Sequence, residues 1–226
     1  MRLRTEPFVI QSDRWPKSGR VILAQHDSES VVVYQAYRPL IGHFAAKHGY
    51  FGEGFSLSRM TWIKPNFLWM MYRSGWGTKA GQEVILAIRL ARSAFEEILG
   101  QAVHAIYNPQ ACDSHDEWKQ ASARSNVRLQ WDPDHGPSGV RLERRAMQLG
   151  LRGPVVKKYA RDWILDIEDI SEFVQQQRQV LAAKNRDQLL TPSETVFRVA
   201  DASLARRLGL DHGSGGSVGE QRGPTA

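Results

Sequence analysis

The chain has 226 residues, 42% of them hydrophobic, and a formal net charge of +6. This length and composition suit one domain or two small ones. The sequence contains no apolar run of about 18 residues, so it predicts no transmembrane helix. The single cysteine, Cys112, excludes a disulfide framework and a cysteine-based zinc site within one chain. The N-terminal charges are not followed by an apolar run, so we expect no secretory signal and predict a cytoplasmic protein with no membrane partner.

Hydrophobic patterning predicts short strands and short helices in alternation. β-branched and aromatic runs, or apolar alternation, predict strands at 21–24, 31–37, 61–64, 84–88, 127–131 and 141–151, and the first two are expected to pair as a hairpin. Proline, glycine and capping-box signals predict helices at 39–49, 65–73, 93–100, 114–124 and 170–184, with a further capping box at 191–194. Helical apolar spacing covers 155–167, although 163–167 also fits a short strand, and the composition of 132–137 predicts a loop.

These elements predict an α+β fold, with a compact split or mostly antiparallel sheet and flanking helices, because the strands and several connections are short. We expect an irregular N-terminal arm at 1–20, a single domain at 21–205 and a flexible C-terminal tail at 206–226. The tail is rich in glycine, serine and charge and offers almost no apolar side chain to bury.

Several familiar catalytic motifs are missing from the sequence. There is no G-x-x-x-x-G-K-[ST] loop, no G-x-G-x-x-G fingerprint, no His-Glu-x-x-His pair and no Gly-x-Ser-x-Gly elbow. The seven histidines are scattered, and Cys112 has no obvious activating neighbour. We therefore predict no metal site, and kinase-like, Rossmann, hydrolase and zinc-enzyme functions lose support.

The segment from Arg59 to Trp76 contains three of the seven tryptophans and three of the five methionines. It also carries three cations and no acid: Arg59, Lys64 and Arg73. Apolar side chains at this density must be largely buried, whereas cations are not buried without a partner. The segment is therefore either core whose long side chains reach solvent, or the wall of a pocket for an anion.

A second group of cations lies between residues 141 and 161, where seven basic residues accompany one acid, Glu143. The basic residues are Arg141, Arg144, Arg145, Arg152, Lys157, Lys158 and Arg161. The group fits either a solvated helix face or a surface that contacts the phosphates of nucleic acid.

Four blocks of the sequence together resemble the uncharacterised family numbered 4291 among domains of unknown function, over about residues 5–198. The blocks are 33–37, 59–76, 127–133 and 148–151, the last leading to Tyr159 and Trp163. The family name carries no activity with it.

The order of the blocks also resembles the ADP-ribosyltransferase superfamily, in which three strand motifs surround NAD. Tyr34-Gln35 would occupy the first motif, 59–62 the second and 130–132 the third. Gln35 stands where the superfamily has a basic residue, and Gln130 stands where it has a glutamate. A glutamine carries no negative charge, so either Asp132 supplies that charge, or the chemistry differs, or the domain only binds.

This resemblance implies that NAD is the substrate and that Gln130 and Asp132 are the catalytic residues. The expected NAD-binding residues are Gln35, Tyr37, Arg59, Thr61, Trp62, Lys64, Tyr72 and Arg73. Independently of the family, the three cations of the 59–76 segment suit a pyrophosphate, and Trp62, Tyr72 or Trp76 suits a flat base. Gln35 suits a ribose hydroxyl or a carboxamide.

Three functions remain open at this stage. The first is an ADP-ribosyltransferase-like enzyme that acts on an unknown acceptor such as nucleic acid, and it needs Gln35, Arg59 and Asp132 in one cleft. The second is a non-catalytic nucleic-acid-binding domain, which needs the cations of 141–161 on one exposed face. The third is a structural or partner-binding protein, which needs Trp62, Trp69 and Trp76 all buried.

Overall fold

The computed structural model describes residues 3–211, and within that range it contains eleven β strands and eight α helices. The strands are β1 (Thr5–Pro7), β2 (Leu23–Ala24), β3 (Ser30–Tyr37), β4 (Thr61–Ile63), β5 (Val84–Ala91), β6 (Ala102–His104), β7 (Val127–His135), β8 (Arg141–Leu151), β9 (Ile164–Asp169), β10 (Leu190–Pro192) and β11 (Thr195–Val196). The helices are α1 (Phe8–Arg14), α2 (Pro39–His48), α3 (Phe67–Ser74), α4 (Arg92–Gln101), α5 (His115–Arg124), α6 (Gly153–Arg161), α7 (Ser171–Ala182) and α8 (Ala202–Arg207).

Two main sheets organise the domain. One has the strand order β3-β5-β9, and the other has the order β4-β8-β7-β6. All of their pairs are antiparallel except β6 with β7. A backbone bridge between Tyr34 of β3 and Lys64, just after β4, joins the two sheets at their edges. The predicted α+β fold with a split, mostly antiparallel sheet is confirmed.

Helices cover the apolar faces of the sheets. Phe95 and Ile98 of α4 are fully buried, and this helix packs against β3, β5 and β7. The helix α7 packs against β5 through Val174. The predicted association of the 93–100 and 170–184 helices with the sheet is confirmed. None of the helices within residues 3–211 is long and apolar enough to cross a bilayer.

Local capping signals identify most helix ends correctly. Pro39 opens α2, and Gly49 closes it in the left-handed conformation, at φ 75°. The side chain of Ser114 accepts a hydrogen bond from the Glu117 amide at the start of α5, as its capping box predicts. Gly75 likewise closes α3 at φ 59°.

Two predicted capping boxes are wrong. Ser93 lies inside α4, because the helix begins directly at the end of β5 with Ala91 as its N-cap. Residues 191–194 begin no helix. Instead Thr191 pairs with Glu6 across β1 and β10, and the carboxyl group of Glu194 is buried beneath α3. These partners are distant in sequence, so the local pattern does not reveal them.

Three strand assignments change in the structure. The segment 132–137 is not all loop, because β7 continues through His135 opposite β8. Of the two alternatives for 163–167, the strand is correct, and β9 pairs with β5. The strand β2 pairs with β11, whereas the predicted hairpin with β3 is reduced to the tight turn that brings His26 opposite Val31.

Both predicted termini contribute to the packed domain. Within the expected arm, α1 and β1 are regular, and Phe8 and Trp15 are buried. Within the expected tail, Leu208 is fully buried and the Asp211 carboxylate accepts a hydrogen bond from the Arg20 amide. The packed domain therefore includes residues 5–15 and 206–211, and the remainder of the predicted tail lies outside the described residues.

Candidate functional site

A polar cleft of about 320 Å³ opens where the two main sheets meet. Side chains from β3, from β4 and the residue after it, from α3, from the loop before β5, and from β7 and β8 line it. They belong to Gln35, Ala36, Tyr37, Trp62, Lys64, Met70, Arg73, Gln82, Gln130 and Gln148. The cleft therefore combines four carboxamides, two cations and an aromatic wall.

Strand periodicity explains why the cleft face is polar. Gln130 of β7 is the cross-strand partner of Gln148 of β8, and Trp62 of β4 is the partner of Gly150. The neighbouring positions on the opposite face, such as Leu129 and Leu149, are buried in the core. Because successive side chains of a strand point to opposite faces, one face of this sheet packs and the other presents polar groups to the cleft.

Two glutamines hold the carboxylate of Asp132. Nε2 of Gln130 donates to one carboxylate oxygen at 2.8 Å, and Nε2 of Gln148 donates to the other at 2.7 Å. A carboxylate that accepts a hydrogen bond on each oxygen is fixed in orientation. The negative charge that Gln130 lacks is therefore placed next to it, on a group that Gln130 itself positions.

Lys64 is the most unusual group in the cleft, because its side chain lies at the junction of the sheets and the residue is only 5% exposed. Within residues 3–211 its ammonium makes no hydrogen bond or ion pair. Burial and the nearby Arg73 lower the pKa of Lys64, Asp132 opposes them, and the net result is a pKa of about 8. A desolvated cation beside a second cation is an arrangement whose charge a bound anion could neutralise.

Gln35 connects the two sheets and does not present its amide hydrogens to the cleft. Its Nε2 donates to the hydroxyl of Thr61 at 2.7 Å and to the carbonyl of Trp62 at 3.1 Å. The Tyr159 hydroxyl donates to its Oε1 at 2.5 Å. The Tyr37 hydroxyl also bonds to Thr61, at 2.9 Å. Both amide hydrogens are committed in this arrangement, so a ribose hydroxyl or a carboxamide, the predicted partners of Gln35, would have to donate to its Oε1.

Four predicted site residues are not part of the cleft wall: Arg59, Thr61, Tyr72 and Asp132, the last of which is bonded to the lining residues Gln130 and Gln148. Arg59 is exposed before β4 and is not part of the cleft wall. Tyr72 is 44% exposed and stacks on His135, with ring centroids 3.5 Å apart. A helix turns about 100° per residue, so the neighbouring Arg73 reaches the cleft while Tyr72 points elsewhere. Of the three cations of the 59–76 segment, Lys64 and Arg73 line the cleft.

The tryptophans of this segment have three different environments. Trp62 is partly exposed on the cleft wall, and Trp69 is a buried residue of α3 that stacks on His135. Trp76 is partly exposed, packs on Phe67 and donates to the Pro137 carbonyl. The three tryptophans are therefore not all buried, as a purely structural role would require. Part of the segment belongs to the hydrophobic core and part of it lines the cleft.

The predicted nucleic-acid-binding cations do not form one exposed surface. Arg144 is 4% exposed, and its Nε and Nη2 both donate to Asp134, at 2.8 and 2.5 Å. Arg152 donates to the carbonyls of Ala123 and Ser125 at the end of α5. The remaining five cations are the partly buried Arg145 and the exposed Arg141, Lys157, Lys158 and Arg161.

Two of the exposed cations have local partners. Lys158 pairs with Glu97 at 3.1 Å and lies over Trp163, and Arg161 lies over the ring of Tyr50. The basic stretch is thus partly structural, and the part that faces solvent is divided between β8 and α6.

Sequence reasoning missed two polar residues of the cleft, Gln148 and Gln82, and the apolar Ala36 and Met70. Gln148 follows an alternating pattern on β8, so its face could have been found once the pairing with Gln130 was known. Gln82 lies in a loop before β5, and no local signal identifies it. Among the described residues, no group of three or more His, Cys, Asp or Glu side chains could hold a metal ion.

The fold and the cleft define a class of protein: an α+β domain with a split antiparallel sheet and a polar, cationic cleft at the split. The model of the family described as Domain of unknown function (DUF4291) matches residues 21–197, and the chain belongs to this family. The resemblance to that family is confirmed over this range. A comparison with curated proteins finds no match.

Proposed function

We propose that the protein is an enzyme that binds NAD in the cleft and transfers its ADP-ribose group to an acceptor. The observation that supports this proposal is the convergence of three segments that are far apart in sequence, although Arg59, one of the three residues that this function was expected to bring into one cleft, lies outside it. Gln35 of β3, Trp62 of β4 and Gln130 of β7 line one cleft, with Asp132 bonded to Gln130. By the resemblance stated above, these residues would occupy the three motif positions at which the ADP-ribosyltransferase superfamily surrounds its dinucleotide.

The cations in the cleft suit the pyrophosphate of a dinucleotide. Lys64 supplies a desolvated point charge, and Arg73 supplies a guanidinium that donates two parallel hydrogen bonds to a phosphate group. Trp62 gives a flat wall for an aromatic base, and the side-chain carbonyl oxygens of Gln130 and Gln148 accept from hydroxyl or amide groups of the ligand.

The chemistry assigned to this site is cleavage of the bond between nicotinamide and ribose C1′. Nicotinamide leaves with the bonding electrons, and the ribose develops positive charge at C1′. The Asp132 carboxylate, oriented by its two glutamines, stabilises that charge. An acceptor nucleophile then forms the new bond to C1′, and its proton passes to Asp132.

The proposal does not specify the acceptor molecule, and nucleic acid is one candidate. A purely nucleic-acid-binding function has less support than the enzyme, because Arg144 is buried in an ion pair and Arg152 is bonded to backbone carbonyls. A purely structural function has less support because the ammonium of Lys64 has no partner within residues 3–211.

Binding is tested by thermal shift with NAD, ADP-ribose, ATP and short oligonucleotides. A ligand at 100 times its dissociation constant stabilises the native state by about 2.7 kcal/mol. Arg73→Ala is expected to weaken NAD binding roughly ten- to a hundredfold. Arg59→Ala is the matched control, because this arginine is exposed and lies outside the cleft wall. If neither NAD nor ADP-ribose stabilises the protein, the proposal is wrong.

Turnover is tested by nicotinamide release from NAD. Asp132→Asn keeps the shape of the side chain and removes its charge, so we expect binding to persist while release falls by two to three orders of magnitude, roughly the effect of losing one preorganised electrostatic group. An unchanged rate in this variant would remove Asp132 from the mechanism.

A further inference from the structure

Lys64 differs from every other lysine of the chain. The sequence contains eight lysines, all within the described residues, and the other seven are exposed. Lys64 is 5% exposed, yet its side chain lines a cleft that a small molecule can enter. The amine is therefore shielded from bulk water and accessible to a ligand at the same time.

The surroundings of Lys64 raise the fraction of its side chain that is a neutral amine. Burial and the guanidinium of Arg73 both lower the pKa of Lys64, to about 8, and the Asp132 carboxylate is the opposing charge. A lysine with this pKa has a neutral fraction at pH 7 that is roughly two to three hundred times larger than that of an exposed lysine. Desolvation combined with a neighbouring cation is a known way to activate a lysine as a nucleophile.

A backbone contact holds the residue in place. The Tyr34 amide donates to the Lys64 carbonyl at 2.7 Å, and the Lys64 amide donates back at 3.3 Å. These bonds fix the start of the side chain at the junction of the sheets. Nζ then has no hydrogen bond or ion pair of its own within residues 3–211, so its lone pair, once the proton is lost, is available to an electrophile.

We propose that Lys64 is a reactive amine that forms an imine with a small anionic aldehyde bound in the cleft. The lone pair of neutral Nζ attacks the carbonyl carbon, and a proton moves from nitrogen to oxygen to give a carbinolamine. The carbinolamine then loses water and becomes the imine, so that amine and aldehyde give imine and one water with no redox partner.

Two groups in and beside the cleft suit this sequence of steps. Arg73 binds the anionic group of the aldehyde, which places the carbonyl next to Lys64. Asp132 is the carboxylate near the amine, and it moves protons during the loss of water. The inference is independent of the proposed NAD chemistry, because it requires an amine and a carbonyl compound but no dinucleotide.

Reductive trapping tests the proposal. The full chain is incubated near pH 7 with an equimolar aldehyde, reduced with borohydride and digested, and the modified lysines are located by peptide mass spectrometry. One arm uses pyridoxal 5′-phosphate and the other uses glyoxylate, which separates a phosphate from a carboxylate as the preferred anion. Pyridoxal without its phosphate is the uncharged control.

We expect Lys64 to carry roughly ten times the label of any exposed lysine. Exposure alone predicts the opposite order, with Lys64 the least labelled of the eight. Lys64→Arg should lose the dominant label, whereas Lys119→Arg, a change at an exposed position of α5, should retain it. Arg73→Gln should reduce the labelling by the anionic aldehydes more than that by pyridoxal.

A label spread over the exposed lysines, with Lys64 at or below their level, would overturn the proposal. Thermal melting of Lys64→Arg shows whether this variant is folded. If the variant is not folded, the proposal is tested instead by labelling the parent protein with and without excess inorganic phosphate. Phosphate should protect Lys64 and leave the exposed lysines unchanged, and labelling of Lys64 that phosphate does not reduce would also contradict the proposal. Failure of NAD to bind would not affect this result.

Discussion

Tyr34 and Lys64 exchange two backbone hydrogen bonds, and this pair joins the edge of one main sheet to the edge of the other. The contact lies where β3 passes the start of α3, so it places Lys64 at the base of the cleft. The same contact buries a cation that has no ion pair within residues 3–211. The arrangement that builds the site therefore costs stability, as is common for functional residues.

Lys64→Met is expected to stabilise the fold near pH 7 by up to about 3 kcal/mol, because it removes a buried ammonium whose pKa is lowered from 10.5 to about 8. The sign follows from the direction of the shift. The folded state binds fewer protons than the unfolded state between about pH 8 and 10.5, so the penalty is complete below pH 8 and disappears as the pH rises through that window.

Chemical denaturation of the parent and Lys64→Met at pH 7 and near pH 10 measures this effect. The difference in unfolding free energy should narrow at the higher pH. Lys119→Met, at an exposed position, is the matched control and should show no such change. A Lys64→Met variant that is less stable than the parent at pH 7 would show that the ammonium is stabilised by an interaction that burial does not reveal.

Gln35→Leu should destabilise the fold, because the side chain joins β3 to β4 and to α6 through hydrogen bonds with Thr61 and Tyr159. The buried hydroxyl of Tyr159 would lose its acceptor, at a cost of about 1–3 kcal/mol in unfolding free energy. The measurement is denaturant unfolding of Gln35→Leu, Tyr159→Phe and the double variant.

The double variant should be less destabilised than the sum of the two single variants, since both remove the same hydrogen bond. Additive effects would mean that Gln35 and Tyr159 act independently.

Arg144→Met should be strongly destabilising, because the guanidinium is buried and donates twice to Asp134. Removing one partner of a buried pair leaves the other charge uncompensated, at a cost of about 3–5 kcal/mol. Arg144 also donates to the Pro16 carbonyl and lies over Trp15, so the N-terminal segment should become more sensitive to proteolysis.

The exposed Arg141→Met is the matched control on the same strand and should change stability little. If Arg144→Met is as stable as Arg141→Met, the pair with Asp134 does not hold the N-terminal segment.

Glu194 should give the protein a measurable dependence on pH. Burial raises the pKa of its carboxyl group well above 4.5, against the hydrogen bond from the Phe67 amide, which lowers it. The folded state then keeps a proton that the unfolded chain has lost, so its contribution to stability falls as the pH rises above about 4.5. The slope is at most about 1.4 kcal/mol per pH unit.

Glu194→Gln removes this titration, so the stability of the parent relative to the variant should fall between pH 5 and 7. Glu53→Gln, at an exposed position, should follow the parent. Parallel profiles for the parent and Glu194→Gln, measured by denaturation at several pH values, would show that the carboxyl group titrates below this range.

Much of the secondary structure followed from local sequence. The strands at 31–37 and 84–88 and the helix between Pro39 and Gly49 carry signals that depend only on neighbouring residues, and the structure has them. The wrong predictions lie where contacts with residues that are distant in sequence determine the local structure. The capping-box pattern at 191–194 predicts the start of a helix, but the backbone there pairs with the N-terminal segment, which is far away in sequence.

For the site, composition alone identified the 59–76 segment as unusual, because apolar density with three cations and no acid conflicts with simple burial. It could not say which cations serve the cleft. That depends on the edge contact between Tyr34 and Lys64, which turns Lys64 inward, and on the orientation of α3, which directs Arg73 to the cleft and Tyr72 onto His135.

By itself the sequence determined the fold class, most of the elements and the chemical types of residue available to the site, because periodicity, caps and composition act over a few neighbouring residues. Only the tertiary structure decided that Gln148 holds Asp132, that Gln35 is committed to joining the sheets, and that Arg144 is buried. These facts depend on strand register and long-range pairing, where a shift of one residue would turn each side chain to the opposite face.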